Sequence, residues 1–342
     1  MRIRTTTFPS LIQSQGSELQ NVSRDQLTGM KIREGEEDYI IGDLALVEGK
    51  NPHKAINSSV DELDYQLLAK ASLLTASNFV KEPMVITTGF PYSTININKK
   101  PAVEFFNSIE SVTYDTRPFG GSDHLVQPIS VNRVEVIPEL IGGIIAMRSG
   151  EDQRTGNFFM VSMGYGTTEI GLSTDKGVIQ RTEASGNGLR YAIDWAMKRL
   201  MRDYYVGLRT EQQFDTAFQA GNIILNRKRI DLTEIRRQAL AHYYEDVISP
   251  LMRNTWSDDD FDRANTILLI GGGANYPELV DSFRREFDSF VNIEVAENPA
   301  TVTSRGYCIR SRNKGGSAAA AVGIDIGNAN TTVSVIDSSA GI

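Results

Sequence analysis

The sequence predicts an α/β protein built from two similar lobes. Three observations carry that reading. A strand–turn–strand segment occurs twice, over residues 159–173 and again over 322–336. Short apolar runs of strand length alternate with longer stretches of helical periodicity, the pattern of sheets covered by helices. Several of the strands also empty into glycine-rich turns, whose bare backbone N–H groups suit an anion.

Taken in order, residues 1–12 read as a strand ending in Phe8-Pro9-Ser10, and residues 13–36 as loops and short edge strands around Gly16, Gly29 and Gly35. Tyr39-Ile40-Ile41-Gly42 is a strand running into a turn. Asp61 to Thr75 carries helical spacing through Leu63, Leu67, Leu68, Ala71 and Leu74. Pro83 to Gly89 is a buried strand. Val134 to Ile137 is another, and it leads into a helix at Pro138-Glu139, where the N–H that proline lacks is not needed. Phe158 to Thr174 is a hairpin, and Asn187 to Met201 an amphipathic helix with Leu189, Ile193, Ala196, Met197 and Leu200 on one face. A helix-rich stretch follows to about Arg253. Thr266 to Ile270 is a strand leaving into Gly271-Gly272-Gly273, and Pro277 to Phe287 a helix. Lys314 to Ala321 is low-complexity and reads as a flexible linker. Beyond it, Val322–Ile326 and Val333–Ile336 make a last hairpin before Ile342.

The 342 residues suit two domains, and 40% hydrophobic with 23% charged residues is enough for a real core. No apolar run approaches the roughly 18 residues of a membrane span, and the N-terminal stretch lacks the apolar segment of a signal peptide. The expectation is a cytoplasmic protein with no membrane partner. Cys308, the single cysteine, excludes an internal disulfide and reads as a small buried hydrophobe. His53, His124 and His242 show no metal-ligand spacing. A net charge of −8 argues against direct nucleic-acid binding. Arg227-Lys228-Arg229 and Arg236-Arg237 read as solvated helix faces or ion-pair partners.

The chemistry lies in the turns. Asp325-Ile-Gly327-Asn328-Ala-Asn330-Thr331 sets a carboxylate just ahead of a glycine turn. Such a turn can hold phosphate on its amides while the carboxylate meets the accompanying cation. Alone, a plain turn explains it equally well. The earlier copy runs Ser162, Gly164, Tyr165, Gly166, Thr167, Thr168; matching its two threonines to Thr331-Thr332 makes the later turn one residue longer. A third exit, Gly271-Gly272-Gly273-Ala274-Asn275, is stripped of side chains beyond what a tight turn needs. Neither the Walker phosphate loop nor the dinucleotide-binding glycine fingerprint occurs.

These residues together resemble the actin, Hsp-chaperone and sugar-kinase ATPases. Asp325 to Thr332 is similar to the first phosphate motif, Ser162 to Glu169 to the second, Leu268 to Asn275 to the adenosine motif, and Pro138 to Gly143 to the connecting helix. Phe8-Pro9-Ser10, the run from Tyr39 to Ala45, Thr88 to Ser93 and Asn298-Pro-Ala300 with Gly306-Tyr307 are most similar to ParM/StbA-type plasmid-segregation actins and small archaeal actin-like proteins.

The resemblance implies a two-lobed actin-like fold of duplicated RNase H-like domains with an inter-lobe nucleotide cleft. Lobe I would be 1–140 plus 298–342, with a small insert at about 13–60, and lobe II 141–297. It implies ATP or GTP with Mg²⁺, which Asp325 would hold through water, and a water-orienting role for Glu139. A first-turn acid that favours the helix dipole is the plain alternative for Glu139. Gly327, Asn328, Asn330, Thr331, Gly164, Tyr165, Gly166, Thr167, Gly186, Gly188, Gly271, Gly272, Gly273 and Asn275 would contact the nucleotide. The motif order is rotated relative to that family, which implies a circular permutation, natural or engineered, closed by the Gly-Gly-Ser-Ala-Ala-Ala-Ala segment. Ser162 stands where the family carries Asp, which implies weak hydrolysis. The implied function is an ATP-dependent filament protein for plasmid segregation or a related cytomotive role, self-associating and linked to a DNA-bound adaptor. A non-polymerising ATP-binding scaffold or a small-molecule kinase on the same fold is the alternative.

Overall fold

The computed structural model describes residues 2–54, 59–151, 153–204, 211–225, 227–287, 290–315 and 317–337. The chain divides into two compact units, one of residues 1–154 with 301–342 and one of residues 155–300.

In chain order the first stretch forms β1 (Ile3–Pro9), β2 (Leu11–Ser14), β3 (Gly29–Glu34), β4 (Glu37–Gly42), α1 (Asp43–Glu48), β5 (His53–Lys54), α2 (Leu63–Ser77), β6 (Met84–Phe90), α3 (Ile95–Ser108), β7 (Ser111–Asp115), β8 (His124–Pro128), β9 (Val131–Pro138) and α4 (Glu139–Ser149). The second unit contains β10 (Phe158–Met163), β11 (Thr167–Thr174), β12 (Gly177–Val178), β13 (Ala184–Asn187), α5 (Arg190–Tyr204), α6 (Glu211–Ala220), β14 (Asn222–Leu225), β15 (Lys228–Asp231), α7 (Thr233–Tyr243), α8 (Ser249–Thr255), α9 (Asp258–Phe261), β16 (Thr266–Ile270), α10 (Pro277–Glu286) and β17 (Asn292–Val295). The chain then adds α11 (Val302–Gly315), β18 (Ala321–Ile326) and β19 (Asn330–Ile336) to the first unit.

The first unit holds two sheets. One has the order β1-β19-β18-β6-β9, with β18, β6 and β9 parallel and β1 and β19 antiparallel to their neighbours. Its interior strand β6 is buried along nearly its whole length, hence the unbroken Met-Val-Ile run that parallel strands covered on both faces require. The other sheet has the order β5-β2-β4-β3-β7-β8. Phe8, Ile12, Met30, Ile32, Ile41, Ile86, Val322 and Val333 belong to one apolar cluster that joins the two sheets through α2. Among the described residues the second unit has a sheet of order β12-β11-β10-β16-β17, with β13 also paired to β11, and a two-stranded sheet of β14 and β15.

Several expectations change. Residues 1–12 are two strands in different sheets, broken where Pro9 ends the pairing with Asn330 and Ser10 turns the chain. Residues 13–36 are not confined to edges: β3 is interior, between β4 and β7. The amphipathic helix begins at Arg190 rather than Asn187, because residues 184–187 pair with β11. The basic run Arg227-Lys228-Arg229 is the turn and second strand of a hairpin, with Arg227 at a φ of 65°, and not a helix face. Arg236 and Arg237 do form ion pairs, with Glu278 and Glu234.

The low-complexity segment is ordered on both sides of Gly316, which lies outside the described residues, as do 338–342. Gly315 ends α11, Ala320 and Ala321 are buried, and the Val85 N–H donates to the Ala320 carbonyl at 2.8 Å. The end of the segment, Ala320 and Ala321, is core, while Gly315 and Ala318 stay exposed. Cys308 is fully buried as expected, and burial pushes its thiol up to about 12.

The six-stranded sheet of the first unit carries a buried charge cluster. The Lys31 ammonium, 2% exposed, lies 2.9 Å from Asp115 and 3.2 Å from Asp38. Arg117 clasps Asp115 with two guanidinium bonds of 2.8 and 2.9 Å, and Arg33 meets Asp38 at 2.9 Å. Burial alone would raise both carboxyls. The bonds from Arg117 and Lys31 at Asp115, and from Arg33 and Lys31 at Asp38, outweigh it and hold both below the ordinary carboxylate value.

Lowered carboxyls stabilise the fold at pH values above their unfolded value of 3.8, and that stability is lost as the pH falls toward the folded values. Urea unfolding between pH 3 and 7 should therefore show a falling acid limb, which Asp115→Asn flattens. Lys31→Met, which strands two carboxylates, should cost about 3–5 kcal/mol at neutral pH. A parental urea midpoint for Lys31→Met would remove the cluster's stabilising role.

Candidate nucleotide site

Each unit carries a hairpin built to one plan. In β18–β19 the Gly327 N–H donates to the Asn330 carbonyl at 3.0 Å; in β10–β11 the Gly164 N–H donates to Thr167 at 2.9 Å. A Cβ on either glycine would come 2.9 Å from that same carbonyl oxygen. The turns are of equal length, which corrects the one-residue difference read from the sequence. Asp325 pairs with Thr332 and Ser162 with Glu169, so Thr331 corresponds to Thr168 rather than Thr167.

Each turn is gripped from outside through its carbonyls. In the first unit the Ser10 N–H donates to the Ala329 carbonyl at 2.9 Å, and the Ser10 hydroxyl donates to Gly327 at 2.6 Å. In the second unit the N–H groups of Gly188, Leu189 and Arg190 donate to the carbonyls of Gly166, Gly164 and Tyr165 at 2.9, 3.0 and 2.9 Å. A side chain on Gly188 would overlap the Tyr165 carbonyl. Gly186 lies opposite Thr168. Under this turn, buried Tyr243 accepts from the Thr168 hydroxyl and donates to the Asn187 carbonyl at 3.1 Å. Carbonyls committed to one side turn amides to the other, the polarity an anion requires.

The carboxylates sit beside these turns. Burial pushes Asp325 up to about 7. Glu139 opens α4 directly after β9. The strands β18, β6 and β9 run parallel, with Gly323 level with Thr87 and Thr87 level with Glu135. Asp325 and Glu139 therefore share the carboxyl edge of the sheet, two strands or roughly 10 Å apart. Ligands of open parallel sheets bind at such edges.

In the second unit, sequence reasoning passed over Glu169 as a functional residue. It is 2% exposed, directly opposite Ser162, and accepts from the Ser185 hydroxyl at 3.2 Å. Residues directly opposite on antiparallel strands share a face, so Glu169 supplies a carboxylate beside the one Ser162 lacks. The signal was available, since seven residues separate Ser162 from Glu169 just as they separate Asp325 from Thr332.

The triple-glycine exit of β16 joins the second turn. Gly271 adopts φ 85°, its N–H donates to the Pro299 carbonyl at 2.8 Å, and a Cβ on it would lie 2.5 Å from the Met163 carbonyl oxygen. Gly273 would press on the Met163 side chain. Gly272 faces open space, with nothing within 4 Å of where a Cβ would stand. Packing therefore explains two of the three glycines and gives no reason for Gly272. Asn275 ends the short helical turn that follows.

Asp38, Asp115 and His124 also offer three metal-type ligand atoms within 4.8 Å of one another. The Lys31 ammonium already stands between the two carboxylates, so their demand for a cation is met by the chain. Among the described residues no helix is long and apolar enough to cross a membrane.

Residues 1–142 match the family model for the actin like proteins N terminal domain. No curated protein sequence matches. Among solved structures, a non-polymerisable quadruple mutant of pCBH ParM is 19% identical with a TM-score of 0.73, over 90% of this chain and 92% of that one. A 15-stranded ParM filament from Clostridium botulinum is 19% identical with a TM-score of 0.70, over 90% and 92%. The archaeal actin homologue Ta0583 in complex with ADP is 16% identical with a TM-score of 0.67, over 91% and 92%. The fold is actin-like, as the motifs led us to expect, and it stands near that of the ParM-type proteins.

The two glycines of the β16 exit separate packing from function. Gly271→Ala meets both a left-handed φ and a backbone clash, and should cost several kcal/mol, above the roughly 1 kcal/mol typical of point substitutions. Gly272→Ala should unfold within about 0.5 kcal/mol of the parent, as surface substitutions do. Thermal melts of the two variants check this, and equal destabilisation would show that the fold needs both.

Proposed function

We propose that this actin-like chain binds Mg²⁺·ATP, or GTP, hydrolyses it slowly, and uses the nucleotide state to govern assembly into filaments, in plasmid segregation or a related cytomotive role with a DNA-bound adaptor. The observation that carries the reading is the matched pair of glycine turns, one per unit, each clamped by its carbonyls and each next to a carboxylate. In this reading Gly327, Asn328 and Asn330 of one turn, supported from beneath by fully buried Thr331, and Gly164, Tyr165, Gly166 and Thr167 of the other, engage phosphate. Asp325 holds Mg²⁺ through its waters. Gly271, Gly272, Gly273 and Asn275 face the nucleoside, with Gly186 and Gly188 fixing the second turn. Glu139 orients the attacking water. The ADP bound by the archaeal homologue and the filament formed by the clostridial ParM support the cofactor and the assembly.

The rotated motif order has support in the sheet itself, where the 321–336 hairpin stands between the strands of residues 3–9 and 84–90.

Hydrolysis was expected to be weak because Ser162 lacks a charge. Glu169 tempers that expectation, because Ser162→Asp would set two carboxylates face to face, an unfavourable pairing. Glu169→Gln should lower steady-state phosphate release by about a hundredfold, the low end of acid–base contributions. Ser162→Asp should raise it little; a large rise with Ser162→Asp and none lost with Glu169→Gln would return the role to position 162.

Asp325→Asn should weaken Mg²⁺·ATP by at least about tenfold, or 1.4 kcal/mol. The same change should raise the melting temperature of the nucleotide-free protein, because burial disfavours the charged form. Light scattering and negative-stain microscopy with ATP, ADP and no nucleotide test assembly. Filaments with ATP support the proposal; nucleotide binding without assembly in any state supports the scaffold, and no nucleotide binding overturns it.

A further inference from the structure

We infer that Ser10 is the positioning residue of the first glycine turn, and that through it the six-stranded sheet of the first unit is wired to the grip on phosphate. The inference rests on the nucleotide reading and goes beyond it, because Ser10 contacts neither of the proposed carboxylates and carries no charge.

Ser10 is fully buried and is the single residue between β1, in the sheet of the hairpin, and β2, in the other sheet. It spends every polar atom of hydroxyl and amide on one target. Its N–H donates to the Ala329 carbonyl at 2.9 Å. Its hydroxyl donates to the Gly327 carbonyl at 2.6 Å. That hydroxyl proton is then used, so the 2.9 Å contact with Thr331 is the Thr331 hydroxyl donating to Ser10. Two of the three turn residues, Gly327 and Ala329, are thus fixed by one neighbour.

A turn between two strands owes its shape to the strands and to whatever holds its carbonyls. Here the strands are shared with every hairpin, and the holder is Ser10. Losing the hydroxyl frees the Gly327 carbonyl to rotate and leaves Thr331 seeking an acceptor inside the protein. The peptide that should meet phosphate is then no longer preset. In the nucleotide reading the cost falls on the phosphate end of the ligand and spares the nucleoside end, which Ser10 does not hold. Any displacement of β2 moves Ser10, since no residue intervenes.

Ser10→Ala removes the hydroxyl and keeps the backbone clamp. The parent is titrated with Mg²⁺·ADP, Mg²⁺·GDP and adenosine, and the tighter diphosphate is carried forward. Ser10→Ala should weaken that diphosphate by about three- to tenfold, the span of one hydrogen bond, with adenosine affinity unchanged. Thr331→Val keeps the volume, removes the donor into Ser10 and should shift the same ratio in the same direction, so it carries the test if Ser10→Ala fails to fold. Parental diphosphate affinity in both variants overturns the inference and leaves the nucleotide reading intact. Equal loss of diphosphate and adenosine also overturns it, since that marks general loosening. A parent that binds neither diphosphate overturns the nucleotide reading and this inference with it.

Discussion

The first unit depends on a stack in which backbone touches backbone with nothing between. A side chain on Gly323 of β18 would overlap the Ser304 carbonyl of α11, and one on Gly306 of α11 would overlap the Gly142 carbonyl of α4. Strand, helix and helix are thereby held at a separation no Cβ would allow. The side chain next to Gly306, fully buried Tyr307, packs against Gly142 and reaches Gly89 of β6, where a Cβ would overlap its hydroxyl. Close packing of this kind responds to single methyl groups, so the spacing is fixed to within a fraction of an ångström.

Both candidate carboxylates of this unit hang from the stack. Asp325 is two residues beyond Gly323, and Glu139 is three residues before Gly142. The stack sets the level at which β18 and α4 present their ends, and the Arg310–Glu135 pair, with bonds of 2.7 and 2.9 Å, ties α11 to β9 just below that edge. Asp325 is costly where it stands, since burial raises its carboxyl. A raised carboxyl at a rigid sheet edge marks Asp325 as a candidate functional group. The second hairpin carries its carboxylate on the other strand, at Glu169 opposite the serine.

The legible part of the structure was the part written in local pattern. Strands β6, β10, β16, β18 and β19, helices α2 and α10, and the three glycine exits each follow from apolar runs and turn residues a few positions apart. What stayed hidden depends on partners far away in sequence. β3 fell in a polar, glycine-bearing stretch that reads as loops and edge strands, yet Asp115, 84 residues on, draws Lys31 into the interior. Ala320 and Ala321 read as linker because nothing local says that β6 pairs alongside them. Ser10 and Tyr243 gave no sign of supporting the turns, since their partners lie 317 and 75 residues away. Glu169 was within reach, and was missed because turn residues were matched by identity instead of by counting outward from the turn.

The pairing of β1 with β19 joins residues more than 300 positions apart, as in the Thr7–Thr332 hydroxyl contact. Residues 155–300 form a unit whose contacts can close without waiting for the rest. The first unit cannot close its sheet until β18 and β19 arrive, because they occupy two of its interior positions. Closing so long a loop carries an entropic cost that contacts repay only at the end, so assembly of this sheet is slow relative to the second unit. Until then β1 and β6 expose unpaired edges, the kind of surface on which chaperones and aggregation compete. The order of events in folding thus follows from where one hairpin falls along the chain, independently of what that hairpin binds once it is in place.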